Sequence, residues 1–332
     1  MRQLHELGEF FRAKYVASNF LPANFSTKTV YLQSSDSDRA LTSAQAFLYG
    51  FYPARNAEWR WEADLDWQPI PVHAATPGEP DLTCKATSIK CPKHALLAQD
   101  SENRAKTFYD QKYADFFREI SGQNRTGLDN CSYSDINGLY DIQRELIHGL
   151  LGRQPDWVHK KWAEFGGRTS MDLIFEMRTR KMLDLFNSDE KSRLMGGSIL
   201  NIWLENARNV AEGKMDRKMM LYSSHDGVLL ALLNALGASN NQMVPYAATL
   251  IMEIYSTPKN GHVAQFYYRN SSDLAPVQIF LPKCPEPCEI SQLYSNFQNM
   301  TVKNLQELQE LCSSGTRGIL SIFLWIFVIF WK

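Results

Sequence analysis

The chain has 332 residues, 44% of them apolar and 21% charged, with a formal net charge of −1. These are the proportions of a folded soluble protein with a sizeable core, and no repeat or low-complexity tract interrupts them. The near-neutral balance supplies no basic field, so nucleic acid is not expected as a partner.

Residues 2–12 read as an amphipathic helix with Leu4, Leu7 and Phe11 on one face, and not as a signal peptide. A turn-rich stretch leads to a strand over 29–32. Ser35, Asp36 and Asp38 then offer helix-capping side chains, and 39–49 reads as a helix with Leu41, Ala44 and Leu48 inward, ended by Gly50. Arg39 falls in the first turn of that helix. A cation there opposes the helix dipole unless an anion binds beside it or the two nearby Asp satisfy it. Residues 51–80 are irregular; Trp59, Trp61 and Trp67 are expected to pack a core or a domain seam. His73 ends the extended run W-Q-P-I-P-V-H, where a structural role is the simpler reading. Residues 84–91 enclose a small loop.

From Glu102 the pattern turns helical for about a hundred residues: 103–120, a segment from near Asp135, 157–165 and 171–186. No strand is expected among them. A further helix, 191–211, contains Gly196 and Gly197, which imply close approach of another backbone. Residues 219–222 read as a buried strand and 228–236 as a helix closed by Gly237 at its C′ position. Strands over 248–255, 262–268 and 277–281 follow, the first two joined by P-K-N-G as an antiparallel hairpin. The expected fold class is α/β: a mixed, mostly parallel sheet flanked by helices, with an all-α cap insertion. The core takes 1–90 and 190–312, the cap 91–189, and an apolar tail 313–332.

In open α/β sheets ligands bind at the carboxyl ends of strands, near helix N-termini that favour anions. If the tips of the 29–32 and 219–222 strands meet, Arg39, His225 and Asp226 converge. That set suits a phosphate monoester: Arg39 for bidentate phosphate contact, His225 for an equatorial oxygen, Asp226 to protonate the leaving alkoxide. The alternative is that Asp226 merely caps its helix and His225 makes a local hydrogen bond. The set lacks a nucleophile. His5, His73, His94, His148, His159 and His262 have no comparable setting, and Ser34, Ser35, Ser223 and Ser224 have no separate base beside them in sequence. No cofactor and no metal is expected. Cys284 and Cys288 flank P-E-P without the two further ligands that zinc needs, so a loop-stapling disulfide is the preferred use.

S-S-H-D-G after an apolar strand resembles the S-A-H-D motif of the histidine acid phosphatases, the prostatic and lysosomal type. V-Y-L-Q-S-S-D-S-D-R-A-L-T-S-A resembles the Arg-bearing segment of the same family. M-R-Q-L-H-E-L-G, W-Q-P-I-P-V-H, K-S-R-L-M-G-G, V-P-Y-A-A-T, F-Y-Y-R-N and K-C-P-E-P-C fall in the family's order, up to about Cys312. The resemblance implies a phosphate-clamping role for Arg39, stabilisation of the transferring phosphoryl for His225 and proton donation for Asp226. It also implies disulfides Cys91–Cys312 and Cys284–Cys288. A third family disulfide has no cysteine at its expected positions, near 146–151 and at Ala248. Cys84 and Cys131 are extra, and their pairing with each other is left open by the sequence. The family's R-H-G-x-R-x-P motif, which carries the phosphorylated histidine and two further arginines, lies upstream of the M-R-Q-L-H-E-L-G helix. The sequence starts after it. The expectation is therefore a phosphate monoester hydrolase of the phosphohistidine type, inactive as it stands, from an incomplete gene model or an N-terminally truncated isoform. The alternative is a non-catalytic, membrane-tethered phosphate-ester binder.

Five Asn-x-Ser/Thr sequons, at Asn24, Asn124, Asn130, Asn270 and Asn299, together with the even cysteine count, lean towards the secretory pathway, lysosomal, cell-surface or extracellular. The run Ile319 to Trp331 spans about 20 Å as a helix against a hydrocarbon core of about 30 Å. A membrane anchor is the preferred reading, with a removed glycolipid-anchor signal second. The partners expected are a small phosphate monoester, a membrane through this tail, and a second copy of the chain as a homodimer.

Overall fold

The structure is a computed structural model that describes residues 1–122, 126–149, 154–258, 261–270 and 274–313. The chain divides into two compact units. One takes Met1–Lys93, Ser188–Asn240 and the residues from Val244 onward; the other takes His94–Asn187 with Asn241–Met243.

In the first unit Leu7 and Phe11, one helical turn apart, give α1 (Arg2–Phe11) its buried stripe. Alternating burial along V-Y-L-Q-S makes β1 (Val30–Ser34), and Ala40, Ala44, Phe47, Leu48 and Phe51 form the inner face of α2 (Asp38–Phe51). These elements share one apolar cluster with Tyr15, Leu21, Tyr52 and Ile70. The extended run before His73 yields only a short strand, β2 (His73–Ala74), paired parallel to β1 with Gln33 opposite His73. The tryptophans of this region depart from expectation. Trp61 is 61% exposed, and its indole donates to the Trp67 carbonyl at 3.2 Å. The two rings pack edge-on at the surface instead of filling a core.

The second unit is built from α3 (Pro92–Lys112), α4 (Ala114–Ile120), α5 (Ile136–His148), α6 (Asp156–His159) and, further on, α7 (Ser170–Leu183). Its core is one cluster that includes Tyr113, Phe116, Ile120, Tyr133, Ile136, Trp157 and Ile174. The expectation of an all-α insertion is corrected here. A two-strand antiparallel pair, β3 (Lys161–Trp162) and β4 (Arg168–Thr169), stands between α6 and α7. Gly166 and Gly167, at φ of +72° and +74°, turn the chain between the strands, and the helix expected over 157–165 stops at His159.

Back in the first unit, other backbone packs closely on α8 (Asp189–Ala211) at Gly196 and Gly197, as expected, with α9 (Asp226–Ala235) against Gly196. A Cβ on Gly196 would meet the Ala231 carbonyl carbon at 2.9 Å, and one on Gly197 the Met300 carbonyl oxygen at 2.8 Å. Between them β5 (Met219–Ser223) pairs parallel with β1 over the whole strand. The parallel sheet has the order β2-β1-β5. β1 lies inside it, and β5 is its edge among the described residues, with all five β5 residues only half-buried. Gly237, at φ +68°, closes α9: its N–H donates to the Asn234 carbonyl, and that of Ala238 to Leu233. A second, antiparallel sheet follows: β6 (Thr249–Ser256), β7 (His262–Arg269), β8 (Val277–Ile279) and the short β9 (Cys288–Glu289). Its hairpin is the expected one, closed by Thr257 N donating to the Gly261 carbonyl at 2.8 Å. The parallel and antiparallel strands thus occupy separate sheets, and the fold class is α/β. Helices α10 (Ile290–Phe297) and α11 (Leu305–Ser313) complete the unit.

Two disulfides form, Cys91–Cys312 and Cys284–Cys288, both as the family resemblance implies. Cys84 and Cys131 are free and buried. Each thiol has its own neighbours, Cys84 the Gln33 carbonyl and Cys131 both Thr126 and the Ile120 carbonyl. No helix among the described residues is long and apolar enough to cross a membrane. The run from Ile319 to Trp331 lies outside the described residues.

Candidate active site

Because β1 and β5 run parallel with Ser34 opposite Ser223, their carboxyl ends finish side by side. The Ser35 N–H donates to the Ser223 carbonyl at 3.0 Å and extends the ladder one step beyond both strands. Each strand then hands the chain to a helix: Ser37 occupies the N-cap of α2, and His225 that of α9. The two cap residues touch, Ser37 Oγ lying 3.4 Å from His225 Nε2. Two helix N-termini, each with unpaired N–H groups and a partial positive charge, therefore meet at one place.

Local chemistry there is unusual. A serine at the N-cap normally bonds to its own helix, a contact worth about 1 kcal/mol. Ser37 makes no such bond. Its hydroxyl lies instead 2.9 Å from Ser35 Oγ, which in turn lies 2.8 Å from His225 Nε2. On the other side of the ring, Arg39 Nη2 approaches His225 Nδ1 at 3.3 Å. Arg39 has no carboxylate in ion-pair range among the described residues, so neither Asp36 nor Asp38 satisfies it as the sequence left open. Asp226 is exposed at the first position of α9, and its Oδ1 accepts the Gly227 N–H at 2.8 Å. His225 is the cap residue, and Asp226 stands beside it with one oxygen uncommitted.

One neighbour was not visible in sequence. The loop 81–85 is drawn over the strand tips by Ser224 Oγ, which donates to the Cys84 carbonyl at 2.7 Å. Asp81 shapes that loop from inside, its Oδ1 accepting the N–H groups of Thr83 and Cys84 while Oδ2 stays buried without a partner. Lys85 follows, half-buried and without an ion pair among the described residues, and its charge reaches His225. Burial, then Arg39, then Lys85 push the imidazole below its ordinary pKa, against the weaker opposing pull of Asp226 and Asp81. Burial pushes the Cys84 thiol up, so it stays protonated and is no nucleophile.

The other histidines lie elsewhere. His5 pairs with Glu9 on α1, the His73 ring stacks on Tyr31 and His94 bonds to the Leu185 carbonyl; His159 ends α6 and His262 opens β7. The backbone of His148 ends α5. Ser34 bonds to the Ser35 carbonyl and Ser223 to the Ala40 carbonyl, whereas Ser35, at 2.8 Å, is nearer to the His225 ring than Ser37, at 3.4 Å. The Ser35–His225 pair is separated by 190 positions, which is why no reading of neighbouring residues finds it. No cluster of three or more His, Cys, Asp or Glu side chains fit to hold a metal ion occurs among the described residues.

Arg39, His225 and Asp226 thus stand together at the tips of two parallel strands, beside two helix N-termini. The sequence profile of the histidine phosphatase superfamily (branch 2) matches residues 1–271. The chain belongs to that family. Human lysosomal acid phosphatase is 31% identical over 317 residues, which cover 94% of this chain and 71% of that protein. Rat prostatic acid phosphatase is 30% identical over 297 residues, 88% of this chain and 74% of that one. Among solved structures, the phytase of Citrobacter braakii superposes with a TM-score of 0.64 at 16% identity, covering 92% of this chain and 87% of that one. A Hafnia alvei phytase gives the same TM-score at 14% identity. At such identities these two speak for the fold alone.

Proposed function

We propose that the chain carries the phosphoryl-binding and acid half of an acid phosphatase site, acting on small phosphate monoesters. The observation that carries this is the approach of Arg39 Nη2 to His225 Nδ1 at 3.3 Å, with no carboxylate to neutralise the guanidinium. A phosphate between them would take bidentate contacts from Arg39 and a charge-assisted one from His225. Asp226 would deliver the proton to the departing alkoxide. The family and its lysosomal and prostatic acid phosphatase relatives support the reaction class.

The phosphohistidine route that the family resemblance implies needs a nucleophilic histidine. Among the described residues no second histidine joins His225, so these 332 residues by themselves are expected to bind the phosphoryl group and turn it over slowly or not at all. The same observation favours a second reading, a non-catalytic phosphate-ester binder. Expression of the chain alone, and of a form extended upstream in the genomic reading frame, separates the two. The hydrolase reading expects the extended form to cleave p-nitrophenyl phosphate at acid pH. In that form Asp226→Asn should slow esters with poor leaving groups most. Orthophosphate binding without turnover in both forms favours the binder, and absence of orthophosphate binding in both defeats either reading. The relatives also support passage through the secretory pathway to a lysosomal or extracellular site. Membrane attachment through Ile319 to Trp331, and pairing with a second copy, remain parts of this proposal, tested by phase partitioning in detergent and by light scattering.

A further inference from the structure

We propose that Ser35 is the positioning residue of this site: its buried hydroxyl accepts the Nε2 proton of His225 and so presents Nδ1, the nitrogen beside Arg39, to the bound anion. The inference rests on the phosphate reading above and deepens it. Its basis is the order of contacts around one ring. A guanidinium can only donate, so a contact from Arg39 Nη2 makes Nδ1 the acceptor. A neutral imidazole with an accepting Nδ1 carries its proton on Nε2. Nε2 faces Ser35 Oγ at 2.8 Å, so the serine receives, and its own hydrogen passes on to Ser37 Oγ at 2.9 Å.

Burial assigns the two sides of the ring. Ser35 is 0% exposed, whereas Arg39 is exposed. Nε2 is therefore the anchored nitrogen and Nδ1 the outward one. This polarity rules against Ser35 as a nucleophile with His225 as its base, since Nε2 already bears a proton. It also explains the forfeited helix cap: the Ser37 hydroxyl serves the chain of contacts that ends on the imidazole. When an anion enters, one proton from solvent adds to Nδ1, the Arg39 Nη2–Nδ1 hydrogen bond is given up, no covalent bond breaks, and Arg39 and Nδ1–H both donate to the anion. The groups that set the balance are Arg39 from α2, Lys85 and Asp81 from the 81–85 loop, and Asp226 from α9.

The test uses the full chain, with sulfate as a dianion that does not titrate in the working range. Nitrogen-15 shifts of His225 in the free wild type should report the Nε2–H form, and sulfate should add the second proton at Nδ1. Ser35→Ala should mix the two tautomers and weaken sulfate about tenfold, the loss of roughly one charge-assisted hydrogen bond. Ser35→Thr, which keeps the hydroxyl, should restore both readouts. A free wild type protonated at Nδ1 overturns the proposal, and so does a Ser35→Ala protein whose tautomers and sulfate affinity match the wild type. The wild-type tautomer needs no variant, so it decides the matter even if Ser35→Ala fails to fold. Failure of the wild type to bind sulfate would sink the phosphate reading and leave the tautomer result standing.

Discussion

Arg39 and His225 are 186 positions apart in the chain and meet through Nη2 and Nδ1 at 3.3 Å. The contact joins a cation to a base whose pKa burial, and then that cation, lower, an arrangement that gains most when an anion arrives to accept from both. Arg39→Ala should therefore weaken orthophosphate and sulfate by about 10- to 100-fold, the loss of about 1.5–3 kcal/mol for hydrogen bonds to a charged group. Arg39→Lys should recover only part, since an ammonium lacks the planar fork. Titration calorimetry reads both. Equal affinity in all three proteins would take Arg39 out of the site.

The depressed His225 pKa gives a pH dependence with a definite sign. The unfolded chain protonates this residue at the ordinary value of 6.5, and the folded chain resists until lower pH. Its contribution to stability is thus present above the ordinary histidine range and is lost as pH falls towards the lowered value. A bound dianion works the other way and raises the pKa, so sulfate affinity should climb on acidification. Lys85→Met removes one of the depressing charges. It should shift the titration midpoint of His225 upwards in proton-detected NMR; a midpoint that stays in place would show that Lys85 does not act on the ring.

Gly196 lets α8 touch α9, the helix that carries His225 at its start. In Gly196→Ala the new Cβ meets backbone atoms of Ala231 and Leu232 at 2.9 and 3.0 Å, which cannot rotate aside. Overpacking of this kind costs about 1–3 kcal/mol. Both the melting temperature and sulfate affinity should fall, because moving α9 moves the imidazole. A lower melting temperature with unchanged affinity would mean that the helix N-terminus is held independently of that contact.

The two disulfides close loops of very different size, 221 and 4 residues in sequence separation. In the chain-entropy view their stabilising effects are about 5 and about 2 kcal/mol. Cys312→Ser should therefore lower the urea midpoint considerably more than Cys288→Ser. The reverse order would point to strain or residual structure as the governing factor.

Much of this site is legible in one dimension because strand, polar turn and helix follow one another twice. Apolar runs ending in Ser35–Arg39 and Ser223–Gly227 announce two helix N-termini with chemistry on them, and the Gly237 terminus follows from its own conformational demand. What sequence order hides is anything made between distant segments. The Ser35 contact to His225, the Lys85 charge and the free state of Cys84 all depend on which loop lies over which strand tip. Trp61 illustrates a different limit: aromatic density suggests burial, yet an indole whose N–H is taken by a backbone carbonyl can remain on the surface. The β3–β4 pair was missed because two-residue strands carry no periodicity, and only the adjacent glycines hint at the turn.

Beside β1 the sheet is complete, but β5 offers its far flank, with Met219, Met220, Leu221 and Tyr222 half-covered, to no described strand. A flank of this kind is a template, and any extended segment that drifts past, native or foreign, finds amide and carbonyl groups waiting. Crowded preparations of the chain should accordingly grow turbid where dilute ones stay clear, and whatever settles on that flank will sit next to the imidazole's own strand.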